Sequence, residues 1–342
     1  MDTSRPGRPG APVTIGRVAE AAGVSRATVS RVMNGLASVD PELAGRVREA
    51  AARLGYEPST VARSLALGRT GMVAIVVPDL ENPMFQRVLH GLTDAAGERG
   101  HRLLVAGSNE DVREEVVLAA EARRRCDGLV LCAPRMGTGQ LAGMAAKLAP
   151  FVLVNREVPG IGAPSLLVDH AAGIRDIVAH LLALGHQRLA YLAGPPTSAS
   201  NRDRLDALRG YPAGRFELVE LECGATFADG HAVADQVLRE RATAIVAYND
   251  LVAFGALGRL HELGVEVPGQ VSVVGFDDIP FARYTTPPLT TASVPQVELG
   301  HQAWHRLWAL LERRTPEPDV RFTPRLEVRG STGPAPGALR YM

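Results

Sequence analysis

At 342 residues, with 46% hydrophobic and 22% charged residues and a mean hydropathy of +0.02, the chain can bury a substantial core; two or three folding units are expected and disorder throughout is excluded. The formal net charge of zero divides into +4 over residues 1–70, ten Arg against six Asp and Glu, and −4 over the rest, 27 basic against 31 acidic residues. Positive charge is needed only where phosphates are met, so a basic head on an acidic body suits nucleic-acid binding.

Residues 1–12 are basic but lack the apolar run of an export signal, and read as a disordered arm on a cytoplasmic protein. In VTIGRVAEAAGVSRATVSRVMNG, Thr14 can cap a first helix reaching about Ala22, with Val18, Ala19 and Ala22 at helical spacing, before Gly23 breaks it. Ser25 can cap a second helix through Asn34. Its Val29, Val32 and Met33 face inward, while Arg26, Ala27, Ser30, Arg31 and Asn34 face outward. Asp40-Pro41 starts a third helix, whose Leu43, Val47, Ala50 and Leu54 form a stripe ending at Gly55. Two helices joined through a glycine turn, the second exposing Arg and small polar groups, form the geometry that enters a major groove; a generic three-helix bundle is the bland alternative.

The same stretch resembles the LacI/GalR repressor signature T-[IL]-x-D-V-A-x-x-A-G-V-S-x-x-T-V-S-R-V-[LM]-N. The resemblance implies that Arg26, Ala27 and Arg31 read base edges and that Thr14, Ser25, Thr28, Ser30 and Asn34 contact phosphates. Chemistry agrees: Arg pairs bidentately with guanine, whereas hydroxyls and amides mainly position the protein. Arg17 replaces the family aspartate, behind Gly16. Next, GYEPSTVARSLALGRTG resembles the family hinge, with Ser59 for the usual asparagine. Ser59 to Leu67 is too short for a stable isolated helix, so it is expected to order on DNA. By resemblance Leu65 wedges into the minor groove, with Arg63 and Ser64 close to the backbone. The helix-turn-helix domain is thus expected over 13–57 and a hinge over 58–70.

From Met72 onward, MVAIVV, RLLVAG, GLVLC, FVLVN, LAYLAG, AIVAYN and VSVVGFD alternate with helical patterns, indicating an α/β body of two parallel sheets. Ligands bind outside the carboxyl ends of such strands, where Asp79, Asn82, Phe85, Asn155, Arg156, Asp169, Arg204, Asn249, Asp250, Asp277 and Asp278 fall; each of these could equally be a helix cap. The segments PDLENPMF, GHQRLAYLAGPP, NDLVAFGAL and GVEVPGQVSVVGFDDIPFARYTTPPLTT resemble the sensor of the same family, a two-lobed periplasmic-binding-protein-like fold of type I. That implies a ligand-binding and dimerisation domain over 71–330, with lobe 1 at about 71–162 and 293–322 and lobe 2 at about 163–292 and 323–330. By the same resemblance Phe85 packs on an effector, and Asp169, Arg204, Asn249, Asp277 and Asn82 hydrogen-bond it. An arginine and carboxylates converging in a cleft suit vicinal hydroxyls, so a sugar or polyol leads. Ala225 stands where relatives often place a stacking aromatic, with Phe227 two residues on, and Tyr211 to Gly214 break a helix that relatives continue.

Cys126, Cys132 and Cys223 are odd in number and form no C-x-x-C pair, and no His cluster has metal-ligand spacing. Neither glycine-rich stretch, GRTGMV or GSTGPAPG, joins a strand to a helix as a dinucleotide loop must, and no Ser/His/Asp arrangement has local support. No enzyme, cofactor, metal site or membrane span is expected. The expected partners are double-stranded operator DNA, a small effector and a second copy of the chain. Residues 331–342 lack leucine heptads and read as a flexible tail, without a tetramerising coil.

Overall fold

The computed structural model describes residues 13–34, 39–56 and 68–337, and the chain separates into two compact units, 1–70 and 71–342. The hinge residues Arg63, Ser64 and Leu65 lie outside the described residues.

The first unit packs α1 (Ile15–Ala22), α2 (Arg26–Met33) and α3 (Pro41–Leu54) around Val18, Ala19, Ala22, Val29, Val32, Ala44, Val47, Ala50 and Ala51. Gly23, at φ 66°, takes the left-handed conformation that ends α1 and turns the chain into α2. Two caps follow the sequence pattern: Ser25 Oγ accepts from Thr28 N at 3.1 Å, and Asp40 Oδ1 accepts from Glu42 N and Leu43 N at 2.9 and 3.2 Å. Thr14 occupies the N-cap of α1 but makes no side-chain cap bond, contrary to expectation. The buried face of α3 is also one residue round from the expected stripe: Ala44 and Ala51 are buried, with Leu43 and Leu54 at the margin. Small residues on that face let three short helices approach closely. Arg46 Nη2 closes the corner, donating to Ala22 O at 2.5 Å.

The second unit contains two six-stranded sheets. The first comprises β1 (Met72–Val77), β2 (Arg102–Gly107), β3 (Gly128–Cys132), β4 (Phe151–Val154), β5 (Ser165–Val168) and β11 (Val320–Phe322), all parallel, in the order β11-β5-β4-β3-β1-β2. The second comprises β6 (Arg188–Ala193), β7 (Glu217–Glu222), β8 (Ala244–Ala247), β9 (Ser272–Asp277), β10 (Thr290–Ser293) and β12 (Arg325–Glu327), in the order β12-β10-β9-β8-β6-β7, where only β12 runs antiparallel. Covering helices are α4 (Pro83–Gly97), α5 (Val112–Arg125), α6 (Thr138–Leu148), α7 (His170–Ala183), α8 (Ala199–Arg209), α9 (Phe227–Arg239), α10 (Asp250–Glu262) and α11 (Gln296–Leu311). The central strands β1, β3, β4, β8 and β9 are buried nearly throughout, as strands covered on both faces must be.

Three connections join the lobes, at Asp169, Val294–Pro295 and Thr323–Pro324. Two expectations are corrected here. Ser165–Val168, assigned to the second lobe, is a strand of the first sheet because Leu166 and Val168 pair with Val320 and Phe322 of β11; the crossing falls at Asp169. Residues 331–337, expected to belong to a loose tail, are fastened to the second lobe. The fully buried Ser331 accepts from Thr290 N at 2.8 Å and donates to Val273 O at 2.6 Å, and Ala335 N donates to Leu184 O at 2.8 Å. Each lobe also has one pair of helices in backbone contact. A Cβ on Gly91 of α4 would strike Val297 O of α11 and one on Gly300 would strike Val88 O, while Gly230 and Gly255 play the same part between α9 and α10.

Candidate functional site

In the first unit, α2 turns Val29 and Val32 inward, leaving Arg26, Ala27 and Arg31 exposed along one face. Beside them Ser25 and Thr28 share a hydroxyl contact of 2.9 Å, and Asn34 Nδ2 donates to Ser30 Oγ at 3.3 Å. Two charged forks are thus flanked by small polar groups already fixed in place. The free Thr14 hydroxyl lies at the head of α1, and no acidic residue stands in the first turn of α1 or α2. Uncompensated helix N-termini favour anions.

The second site is the cleft between the lobes, where the carboxyl ends of both sheets meet. Asp79, Asn82, Met84, Phe85, Glu110, Ala133, Arg135 and Asn155 line it from the first lobe, and Ser200, Arg204, Ala225, Tyr248, Asn249 and Asp277 from the second. Four non-glycine residues just past or at strand ends, Glu110, Ala133, Asn155 and Asp277, have φ of 61°, 48°, 57° and 115°, and all four line the cavity. Such conformations cost about 1–3 kcal/mol each and persist only where surrounding contacts hold them.

Those contacts are visible. Arg135 clasps Glu110 with Nε and Nη2 at 2.5 and 2.7 Å and donates from Nη1 to Ala133 O at 2.9 Å. Its backbone N–H and that of Met136 bind the buried Glu115 carboxylate, whose proton affinity burial raises. Asn155 joins the lobes: Oδ1 accepts from His170 Nε2 at 2.8 Å, and Nδ2 donates to Ser200 Oγ at 2.9 Å. Burial first, then the Arg204 guanidinium, hold His170 far below the usual imidazole value, so the ring is neutral and its Nδ1 accepts from Arg204 Nε at 3.4 Å.

Arg204, only 3% exposed, lies over the Phe276 ring at 3.6 Å and donates from Nη1 to Tyr248 O. Its Nη2 stands 3.8 Å from Asp277 Oδ1, beyond hydrogen-bond length, so guanidinium and carboxylate both keep capacity for a third group. Burial lifts Asp277 from the usual 3.8 to about 7, outweighing the opposing pull of Arg204. Burial, and then Asp277, raise the neighbouring Asp250 as well. Between about pH 5 and 7 the folded body therefore holds a proton at Asp277 that the unfolded chain has released, so the contribution of Asp277 to stability falls as pH rises towards 7. His170, neutral when folded and protonated when unfolded, contributes in the opposite sense. The urea midpoint of wild type is expected to fall relative to that of Asp277→Asn as pH rises across that window; a difference that does not change with pH would contradict the assignment.

The structure brings Asn82, Phe85, Arg204, Asn249 and Asp277 together at the cavity but places Asp169 elsewhere. Asp169 caps α7, accepting from Ala172 N at 2.8 Å, and lines a neighbouring recess with Arg156, Arg202 and Arg321. Asn82 and Asn249 are caps as well, accepting from Met84 N at 2.9 Å and Val252 N at 2.8 Å. Each nevertheless faces the cavity. Ala225 lines it, whereas Phe227 is 50% exposed and lies over Gly258 of α10. Sequence reasoning missed Glu110, Arg135, Ser200 and Tyr248, which meet only in the folded state; Asp79 and Asn155, candidates from their place after strand ends, do line the cavity.

A groove-fitting helix on one unit and a two-lobed polar cleft on the other define a DNA-binding transcription regulator with a ligand-binding body of the periplasmic type. Residues 14–59 match the family model for bacterial regulatory proteins of the lacI family, and residues 178–332 match the periplasmic binding protein-like domain. The chain is 33% identical over 330 residues to the HTH-type transcriptional regulator GalR of Escherichia coli K12, covering 93% of this chain and 95% of that one. It is 33% identical over 342 residues, with 94% and 96% covered, to the HTH-type transcriptional regulator MalR of Streptomyces coelicolor. The lac repressor dimer bound to operator and the anti-inducer ONPF matches with a TM-score of 0.84 at 29% identity, over 94% of this chain and 100% of that chain. The CelR–cellobiose complex matches at 0.65 and 27% identity, over 93% and 99%. This chain belongs to the LacI/GalR family of DNA-binding transcriptional regulators. No helix among the described residues is long and apolar enough to cross a membrane.

Proposed function

We propose that the chain is a cytoplasmic repressor that binds a pseudo-palindromic operator as a homodimer and responds to a small sugar or polyol. The exposed pair Arg26 and Arg31 on a capped helix carries this reading, because guanidinium forks in a major groove can address guanine O6 and N7. Ala27 offers only a methyl group. Thr14, Ser25, Thr28, Ser30 and Asn34 set the register on the phosphates, and Leu65, with Arg63 and Ser64, acts at the operator centre.

In the cleft, Arg204 Nη2 and Asp277 can hold adjacent hydroxyls, with Asn82 offering its Nδ2 amide, Asn249 the one Nδ2 hydrogen not given to Ala225 O, and Phe85 an apolar wall. Asp169, a cap outside the cavity, is left out of this set. The cavity between the lobes is about 20 Å³, whereas small-molecule sites hold about 300–1,000 Å³. Effector binding therefore parts the lobes around the three crossings. An effector that favours one lobe arrangement shifts DNA affinity, a coupling of about 1–3 kcal/mol.

The deciding experiment measures affinity for the operator and its single-base variants after Arg31→Ala. A loss of about 1–3 kcal/mol with relaxed preference at one base pair is expected; full selectivity in the variant would overturn Arg31 as a reader.

A further inference from the structure

In the first unit the Arg26 side chain does not project freely from α2. Its guanidinium lies against the first turn of α1, where a Cβ built on Gly16 would stand 3.2 Å from Arg26 Nη2 and 3.3 Å from Nε. Those separations are tighter than ordinary van der Waals contact, so a Cβ at 16 makes the guanidinium give by a few tenths of an ångström, and a longer side chain competes with it for the same place. Glycine is otherwise a poor choice inside a helix, and α1 is only eight residues long. No backbone reason for it is present: α1 is regular here, and Gly16 is not at a positive φ.

We propose that Gly16 is a positioning residue for DNA recognition, forming with α1 a seat that holds the Arg26 guanidinium at the edge of the recognition helix. A free arginine loses much rotamer freedom when it docks, and a seated one has given up part of that freedom beforehand. The seat also restricts the direction from which the fork reaches a base edge, so residue 16 tunes operator preference without touching DNA bases itself. This inference rests on the reading of Arg26 as a base reader.

The test uses the full chain and the operator obtained by selecting bound genomic fragments. The Arg26→Ala variant defines the base pair at which Arg26 discriminates, with a loss of about 5- to 150-fold expected from one bidentate pair. Gly16→Leu should lose most of that discrimination, and Gly16→Ala an intermediate share. Neither should lower selectivity further in the Arg26→Ala background. The salt dependence of binding should stay unchanged, since no phosphate contact is removed. Gly16→Ala should also raise the melting temperature, which separates lost selectivity from lost folding. Wild-type selectivity in both Gly16 variants, beside a clear loss in Arg26→Ala, would overturn the seat. Undiminished selectivity in Arg26→Ala would instead remove Arg26 as a reader, and the proposal with it.

Discussion

Arg204→Ala is expected to abolish the response of operator binding to effector while leaving effector-free operator affinity intact. The guanidinium is the one cleft group that touches His170, Tyr248, Phe276 and Asp277 together. Its removal deprives the effector of a planar donor and leaves the Tyr248 carbonyl and Asp277 carboxyl without their partner. A hydrogen bond from a charged group to a neutral hydroxyl contributes about 1.5–3 kcal/mol, so effector affinity should fall by about 10-fold or more. Asp277 would respond by holding its proton more tightly, and the cleft would lose charge on both sides. Arg204→Lys should rescue little, because an ammonium cannot reproduce the stacked fork. DNA binding measured by fluorescence anisotropy, with and without a panel of sugars, checks this; a retained response would remove Arg204 from the site.

Gly300→Val should cost about 3 kcal/mol or more of folding stability. Overpacking usually costs about 1–3 kcal/mol because side chains can yield. Here the obstacle is the Val88 carbonyl of a facing helix, and the Gly91–Val297 contact would be wedged open with it. Urea unfolding followed by circular dichroism measures the loss. A midpoint within the error of wild type would mean that α4 and α11 can separate at no cost, contrary to the close fit.

The recognition helix was readable because its signals are local. Ser25 needs only Thr28 to become a cap, and Val29 and Val32 need only helical spacing to share a face. The alternating strands of the body were readable for a similar reason: a strand covered on both sides must be apolar throughout. The lobe assignment of Ser165–Val168 was not: one neighbour, β4, lies close in sequence and the other, β11, about 150 residues later, and nothing in SLLV distinguishes a strand inserted between them from the first strand of the second sheet. Asp169 and Asn155 illustrate the same limit in the cleft. Both follow strands and both are polar, but the left-handed backbone at Asn155 aims its amide across the lobes, whereas Asp169 turns back to close its own helix. Arg135 could not be read from its neighbours in sequence, because the Glu110 that makes its burial tolerable comes from the end of a different strand. Ser331 was mistaken for tail because its two hydrogen-bond partners belong to β9 and to Thr290 at the start of β10.

The three crossings also impose an order of assembly during synthesis. The first sheet needs β11, and β11 is followed immediately by β12, the last strand of the second sheet. When translation has passed the first crossing, the lobe begun first still has an open edge along β5. That edge remains unpaired while nearly all of the other lobe emerges. Unpaired edges invite pairing with other chains, so the nascent body is exposed until residues 320–327 leave the ribosome, and both sheets are then completed within a few residues of one another. A truncation before β11 therefore leaves two unfinished sheets at once, and neither lobe exists as a contiguous segment that can be cut out of the chain.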